Sequence, residues 1–240
     1  INGTLVNNHE AVDIKNYKLG KQALSANIYY DGKSKKLNNT IYFLNDKAPE
    51  VFTYEVVNEF PHDDQAFTQG FAYHNGYFYE STGQNGKSSL RKVDIESGKV
   101  LQKIDLDRQY FGEGMTIKDG KIYQLTWRKK VGFIYNLDSF ELEKSFEYGQ
   151  SAEGWGLTHN NEFLVKTDGS ERMWLLDPQT LKEVSYIETY TNKRKAEKLN
   201  ELEFVNGKIY ANIWQQNSIL IVEPSNGAIE GIVSLKGLQS

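Results

Sequence analysis

There is no cysteine among these 240 residues. That excludes disulfides, a cysteine nucleophile and thiolate zinc sites. Histidine is scarce: His9, His62, His74 and His159 show no metal-ligand spacing and read as surface or turn residues. A net charge of −4 leaves no electrostatic footprint for nucleic acid. No apolar run approaches membrane-spanning length, and no Gly-rich phosphate loop is present. Ser81 and Ser170 have no nearby motif that would activate a nucleophile.

What remains is a chain with 39% hydrophobic and 25% charged residues, as suits a soluble globular protein. Its length allows one large domain, or one domain with a small companion. Aromatics reach 13%, including 15 Tyr and 4 Trp, which favours strands over helices.

A repeat organises most of the chain. The turns Asn75-Gly76, Asp119-Gly120, Asn161-Glu162 and Asn206-Gly207 stand 44, 42 and 45 residues apart. Each is preceded by an apolar strand and followed by another, as in Tyr77-Phe78-Tyr79 or Lys208-Ile209-Tyr210. Asn-Gly and Asp-Gly are the strongest short hairpin signals. A third strand, a further turn such as Glu96-Ser97-Gly98 or Asp177-Pro178, and a fourth strand close each unit. Four antiparallel strands in about 40–45 residues correspond to one propeller blade. The spacing predicts four blades from Phe67 to about Gly237. The run Thr53 to Asn58 is expected to be the outer strand of a fifth blade, only part of which is in this chain. Joining both termini in one blade removes exposed sheet edges. The fold expected is therefore all-β, a five-bladed propeller over residues 51–240. Residues 1–50, which lack this grammar, are expected to form a small β-rich extension. In it, strands around Ala26 to Tyr30 and Thr40 to Leu44 flank turns at Asp31-Gly32 and Asn38-Asn39. A basic insertion, Thr189 to Lys198, is expected to be a loop or short helix at the rim of the site.

Seven residues before each hairpin turn the repeat holds Gln69, Glu113, Trp155 and Asn200. Three of them precede a glycine: Gly70, Gly114 and Gly156. Seven residues after each turn stand Gly83, Trp127, Gly169 and Trp214. A scaffold that recurs while one position varies builds a site around an axis, because the first strand of every blade is innermost. For any single Trp, packing between blades is the commoner role, and for Glu113 it is accepting backbone N–H bonds. Yet Gly112 and Gly114 flank Glu113, so a substrate backbone can approach it closely. Indole walls would desolvate the carboxyl and raise its pKa, poising it for proton transfer near neutral pH. The acidic loop residues Asp63, Asp64, Asp168 and Glu171 are candidates for a structural calcium ion, though isolated acids of this kind are usually solvated.

At these residues the chain resembles the plant-type glutaminyl cyclases, or glutaminyl-peptide cyclotransferases, a family found also in bacteria. The matching segments are Phe67-Thr68-Gln69-Gly70, Tyr79-Glu80-Ser81-Thr82-Gly83, Ser88-Ser89-Leu90-Arg91, Gly112-Glu113-Gly114, Leu125-Thr126-Trp127, Glu153-Gly154-Trp155-Gly156-Leu157, Thr167-Asp168-Gly169-Ser170 and Leu199-Asn200-Glu201-Leu202-Glu203. Each is modest alone; eight in order, from about Tyr54 to Gly237, are specific. The resemblance implies a five-bladed propeller and an aminoacyltransferase that needs no catalytic metal. Such an enzyme converts the N-terminal glutamine of a peptide or protein into pyroglutamate with loss of ammonia. It implies Glu113 as the catalytic acid and Phe67, Gln69, Trp127, Trp155, Asn200 and Trp214 as the substrate pocket. The family pattern continues past the equivalent of Ser240 into strands bearing a pocket lysine; no residue here takes that role, and Lys236 is not assigned to it.

The partners expected are peptides or proteins with N-terminal Gln, with no nucleic acid, no membrane span and a monomeric form. A periplasmic or secreted location follows from the chemistry, since N-terminal glutamines are exposed mainly after leader cleavage. The competing reading is a non-catalytic propeller that binds a peptide or sugar at its central face. A metal-dependent propeller lyase or lactonase is weaker, because such sites use several metal ligands.

Overall fold

In a computed structural model, residues 1–6, 11–14 and 17–238 are described. The fold is built from strands alone, and no helix occurs among the described residues. The first pair is a long hairpin, β1 (Gly20–Tyr30) and β2 (Lys33–Phe43), turning at Asp31-Gly32, where both residues have positive φ. Asn38 and Asn39 lie inside β2 rather than in a turn; they pair with Ser25 and Leu24. This hairpin is a two-stranded sheet of its own. It is tied to the rest by the Lys21 amide, which donates to Glu188 Oε2 at 2.7 Å, and the Leu19 amide, which donates to the Asn226 carbonyl. His9 lies outside the described residues.

After β3 (Glu50–Phe52) come four antiparallel sheets, each hydrogen-bonded in chain order. The first blade is β4 (Thr68–His74), β5 (Tyr77–Thr82), β6 (Ser89–Asp94) and β7 (Val100–Asp105). The second is β8 (Gly112–Lys118), β9 (Lys121–Thr126), β10 (Val131–Asn136) and β11 (Leu142–Glu147). The third is β12 (Leu157–His159), β13 (Leu164–Thr167), β14 (Arg172–Leu176) and β15 (Glu183–Glu188). The fourth is β16 (Leu199–Val205), β17 (Lys208–Ile213), β18 (Ser218–Val222) and β19 (Ile229–Ser234), with β3 added parallel to β19. Three of the hairpin turns have both residues at positive φ, as their Asn-Gly and Asp-Gly sequences require. The third differs. The Asn160 side chain accepts the Glu162 and Phe163 amides, so the turn spans 160–163 and Asn161-Glu162 need not leave ordinary backbone space.

The core lies between blades. Leu90, Met115 and Ile122 fill the first interface, Leu125, Leu157 and Leu164 the second, and Val165, Leu202 and Ile209 the third. Each fully buried aliphatic side chain there contributes about 2 kcal/mol.

Glycines bring the inner strands together. A Cβ on Gly70 would meet the Met115 amide nitrogen at 2.5 Å, one on Gly114 would meet the Trp155 carbonyl, and one on Gly156 the Asn200 carbonyl. These are the three glycines that follow the variable position of the repeat. In the fourth blade the equivalent residue is Glu201, and here the contact changes: its side chain reaches β4 of the first blade. Between blades four and one lies a cleft of about 690 Å³, lined by Phe71, Tyr73, Glu203 and Val205 among others. Tyr73 is 64% and Val205 44% exposed there.

The four blades expected from Phe67 to about Gly237 are all present among the described residues. One expectation about the ring needs correction. The run Thr53 to Asn58 is not a strand: β3 stops at Phe52, and Val56 and Val57 are exposed with no strand beside them. A strand needs a neighbour for its backbone groups, and none is present there. Beyond that run the chain straps onto the first blade. Phe60 meets Phe78 edge-on, the His62 ring nitrogen faces the Glu80 carboxylate at 2.8 Å, and Arg91 pairs with Asp63 at 2.8 Å.

Candidate functional site

The variable position of the repeat coincides with an irregularity in every blade. The register shifts between Thr68 and Gly70, between Gly112 and Met115, and between Leu199 and Leu202. In the third blade β12 starts only at Leu157, and Gly156 is held by the Thr167 hydroxyl instead. Such bulges re-aim side chains at sheet ends. They place Gln69, Glu113, Trp155 and Asn200 at the same end of their inner strands.

Glu113 is 6% exposed. Burial, and then the negative charge of Glu153, push its carboxyl up to about 9, so it is protonated at neutral pH. The expected direction of the shift is therefore found, with a second cause that the sequence reading lacked. Gly114 next to it donates its amide to the Trp155 carbonyl at 2.7 Å, which fixes the Glu113 backbone against the third blade.

Aromatic rings line this end in two runs. Phe67 meets Phe111 edge-on at 6.1 Å, and Phe111 lies 5.5 Å from Trp127. Trp155 meets Trp214 at 6.0 Å. Gly83 and Gly169 explain the alternation of Gly and Trp after the second strands. A Cβ on Gly83 would meet the Phe111 ring at 2.6 Å, and one on Gly169 would meet Trp155 at 2.7 Å. Glycine in blades one and three thus makes room for rings that pack on Trp127 and Trp214 in blades two and four. Gln69 and Asn200 both line the cleft between blades one and four, and the Gln69 side chain also lies beside Gly83 with the Phe111 ring. All seven residues singled out thus lie at one end of the ring.

Glu153 was not singled out as a site residue. Its Oε2 accepts the indole N–H of Trp127 at 2.6 Å and that of Trp155 at 2.8 Å. The available signal was its place in Glu153-Gly154-Trp155, an acid before a Gly beside a pocket Trp. Tyr148 was also missed. It is buried, its hydroxyl donates to the Thr126 carbonyl at 2.8 Å, and the Thr126 amide donates to it at 2.8 Å, which braces the end of β9 just before Trp127. The basic insertion is an irregular loop at the same rim. The Lys198 carbonyl accepts the Trp214 amide, and Lys195 pairs with Glu171 and Glu197.

Among the described residues no group of three or more His, Asp or Glu is placed to hold a metal ion. Asp63 is engaged by Arg91. Asp168 accepts hydrogen bonds from Ala152, Ser170 and Trp174. A buried acid that is neutral at pH 7, with the Glu153 carboxylate near it, suits proton transfer on a small polar substrate.

A sequence profile of the glutamine cyclotransferase family matches residues 24–240. The glutaminyl-peptide cyclotransferase of Arabidopsis thaliana is 39% identical over 194 residues, 80% of this chain and 60% of that protein. The chain thus spans 60% of the length of that curated relative. The crystal structure of Myxococcus xanthus glutaminyl cyclase is similar at a TM-score of 0.74 and 32% identity, covering 79% of this chain and 80% of that one. On these grounds the chain belongs to the glutamine cyclotransferase family.

Proposed function

We propose that this protein converts N-terminal glutamine of peptides and proteins to pyroglutamate with release of ammonia, and that Glu113 moves the proton. The observation that carries this reading is a carboxyl at 6% exposure whose pKa is raised to about 9, near Glu153, which holds the indoles of Trp127 and Trp155. The substrate α-amine, as free base, attacks its own γ-carboxamide carbon. A C–N bond forms and closes the five-membered lactam. Neutral Glu113 gives its proton to the departing nitrogen, the old C–N bond breaks, and ammonia leaves. The carboxylate takes the proton from the attacking nitrogen, so Glu113 ends as it began. Gln69 and Asn200 orient the amine and the carboxamide and steady the developing oxyanion. Trp127, Trp155, Trp214 and Phe67 exclude water and pack the aliphatic part of the glutamine.

The complete ring is read as five-bladed, with the remaining blade in the cleft between β4 and β16. Glu201 in place of glycine, and apolar residues exposed on both walls, support that reading. No helix among the described residues is long and apolar enough to cross a membrane. A periplasmic or secreted site of action and a monomeric form are part of the same proposal, the first resting on where N-terminal glutamines become exposed.

The test is ammonia release from a short peptide beginning with Gln, beside one beginning with Asn, each with and without a chelator. Chelator-resistant release from the Gln peptide alone is expected. No release from the Gln peptide, with the peptide nonetheless bound, would favour a non-catalytic binding propeller; loss on chelation would favour a metal-dependent propeller.

A further inference from the structure

We propose that Glu153 is a positioning residue: its carboxylate ties the indoles of Trp127 and Trp155 into one wall of the substrate pocket. Two independent lines of rings reach this point, Phe67–Phe111–Trp127 from blades one and two, and Trp155–Trp214 from blades three and four. No ring contact joins Trp127 to Trp155 among the described residues. What joins them is one oxygen, Glu153 Oε2, which accepts both indole N–H groups.

The backbone holds Glu153 in place for this. The Gly154 amide donates to the Trp127 carbonyl at 3.1 Å, and the Trp155 amide to the Thr167 carbonyl at 3.0 Å. A Cβ on Gly154 would meet the Thr126 carbonyl at 2.6 Å, so the segment lies directly against the end of β9. The other carboxylate oxygen faces Arg128 Nε at 3.4 Å, and the Arg128 guanidinium lies 3.8 Å above the Trp127 ring. The side chain of Glu153 is only 25% exposed. A carboxylate in that setting is tolerated because charged acceptors make strong hydrogen bonds and three donors converge on it. An indole has a single donor, so spending both on one acceptor leaves each ring able to pivot very little about its hydrogen bond. The wall therefore keeps its shape when the pocket is empty, which lowers the ordering cost of binding.

This inference rests on the cyclase reading for its kinetic arm but not for its spectroscopic arm. The variants are Glu153→Gln and Glu153→Ala in the full chain. Glutamine keeps an oxygen where Oε2 stands, and its amide turns toward Arg128, whose side chain is 69% exposed and free to move aside. Indole N–H resonances of Trp127 and Trp155, identified with Trp127→Phe and Trp155→Phe, report the clamp directly. In Glu153→Gln both should stay hydrogen-bonded and KM should lie within about threefold of wild type. In Glu153→Ala both should shift and exchange faster, with KM raised about tenfold or more, kcat changed less and the melting temperature held within a few degrees. Unchanged indole resonances in Glu153→Ala would overturn the proposal. So would a Glu153→Gln variant as defective in KM as Glu153→Ala, which would assign the effect to charge instead of to the indoles. A wild-type protein that releases no ammonia would sink the cyclase reading, while the resonances would still decide the clamp.

Discussion

Glu201 on β16 reaches the backbone amide of Phe71 on β4, with its Oε1 3.4 Å from that nitrogen. Among the described residues it is the one place where neighbouring inner strands meet through a long polar side chain instead of through a glycine. Burial, and then the charge of Glu203, hold the Glu201 carboxyl well above the usual carboxylate range. A half-buried acid with one long hydrogen bond is a weak joint, consistent with an interface that is not closed by blades four and one alone.

A form of the chain that carries a fifth blade should therefore protect this joint. Amide hydrogen exchange over residues 70–74 and 201–205 should slow by about tenfold or more against the 240-residue form. Equal exchange in the two forms would argue that the cleft stays open.

Glu113→Gln should lose activity by about a hundredfold to ten-thousandfold, the range for removing a positioned acid–base group. It should also be more stable than wild type above neutral pH. The folded-state pKa of about 9 lies above the ordinary carboxyl value of 4.5. The folded chain therefore binds the Glu113 proton more tightly than the unfolded chain. The wild-type penalty is absent below about pH 4.5, grows as pH rises through the window, and levels off above 9. Thermal melts at pH 4 and pH 8 check this: similar curves at the first, and an advantage for the variant on the order of a few kcal/mol at the second. No difference at pH 8 would mean that Glu113 is ionised in the fold.

The rate should follow a bell in pH. It rises as the substrate amine loses its proton, with a pKa of about 8 for an ordinary α-amine. It falls as Glu113 ionises, near 9 in the empty pocket. The charged and titratable groups that act on Glu113 are Glu153, which raises it, and Tyr148 beside it, with Arg128 beyond Glu153. A profile of kcat/KM flat to pH 11 would remove Glu113 from the acid role.

Gln69→Ala and Asn200→Ala should each lower kcat/KM by about tenfold to a hundredfold, through KM and kcat together. They share the cleft wall and lie away from the core, so melting temperatures should hardly move. Full activity in both would make the repeat position architectural in those two blades.

Gly156→Ala should be severely destabilising, by about 3 kcal/mol or more, because the added methyl meets the Asn200 carbonyl and Leu202. Gly76→Ala meets open space and carries only the strain of a φ of 84°, about 1 kcal/mol. Urea melts of the pair separate the close approach from the turn; equal costs would refute the reading of Gly156 as an inter-blade contact.

The local record in the sequence was strong where a residue's role depends on backbone geometry alone. Asn75-Gly76, Asp119-Gly120 and Asn206-Gly207 determine type I′ turns, because few residues accept positive φ, and those turns mark the blades. The same spacing determined which residues share one end of the ring. Asn161-Glu162 also lies in its turn, but that turn is built by the side chain of Asn160, four residues before β13, which no dipeptide signals. Tertiary structure alone decided why Gly83 and Gly169 alternate with Trp127 and Trp214: the space they leave is filled by rings from elsewhere in the chain. It alone decided that Thr53 to Asn58 finds no strand to pair with. It alone brought Glu153 under both indoles and beside Glu113, since a pKa and a shared acceptor depend on distance in space. A sequence states which groups are present; how strongly they act on one another is settled only when the fold removes the water between them.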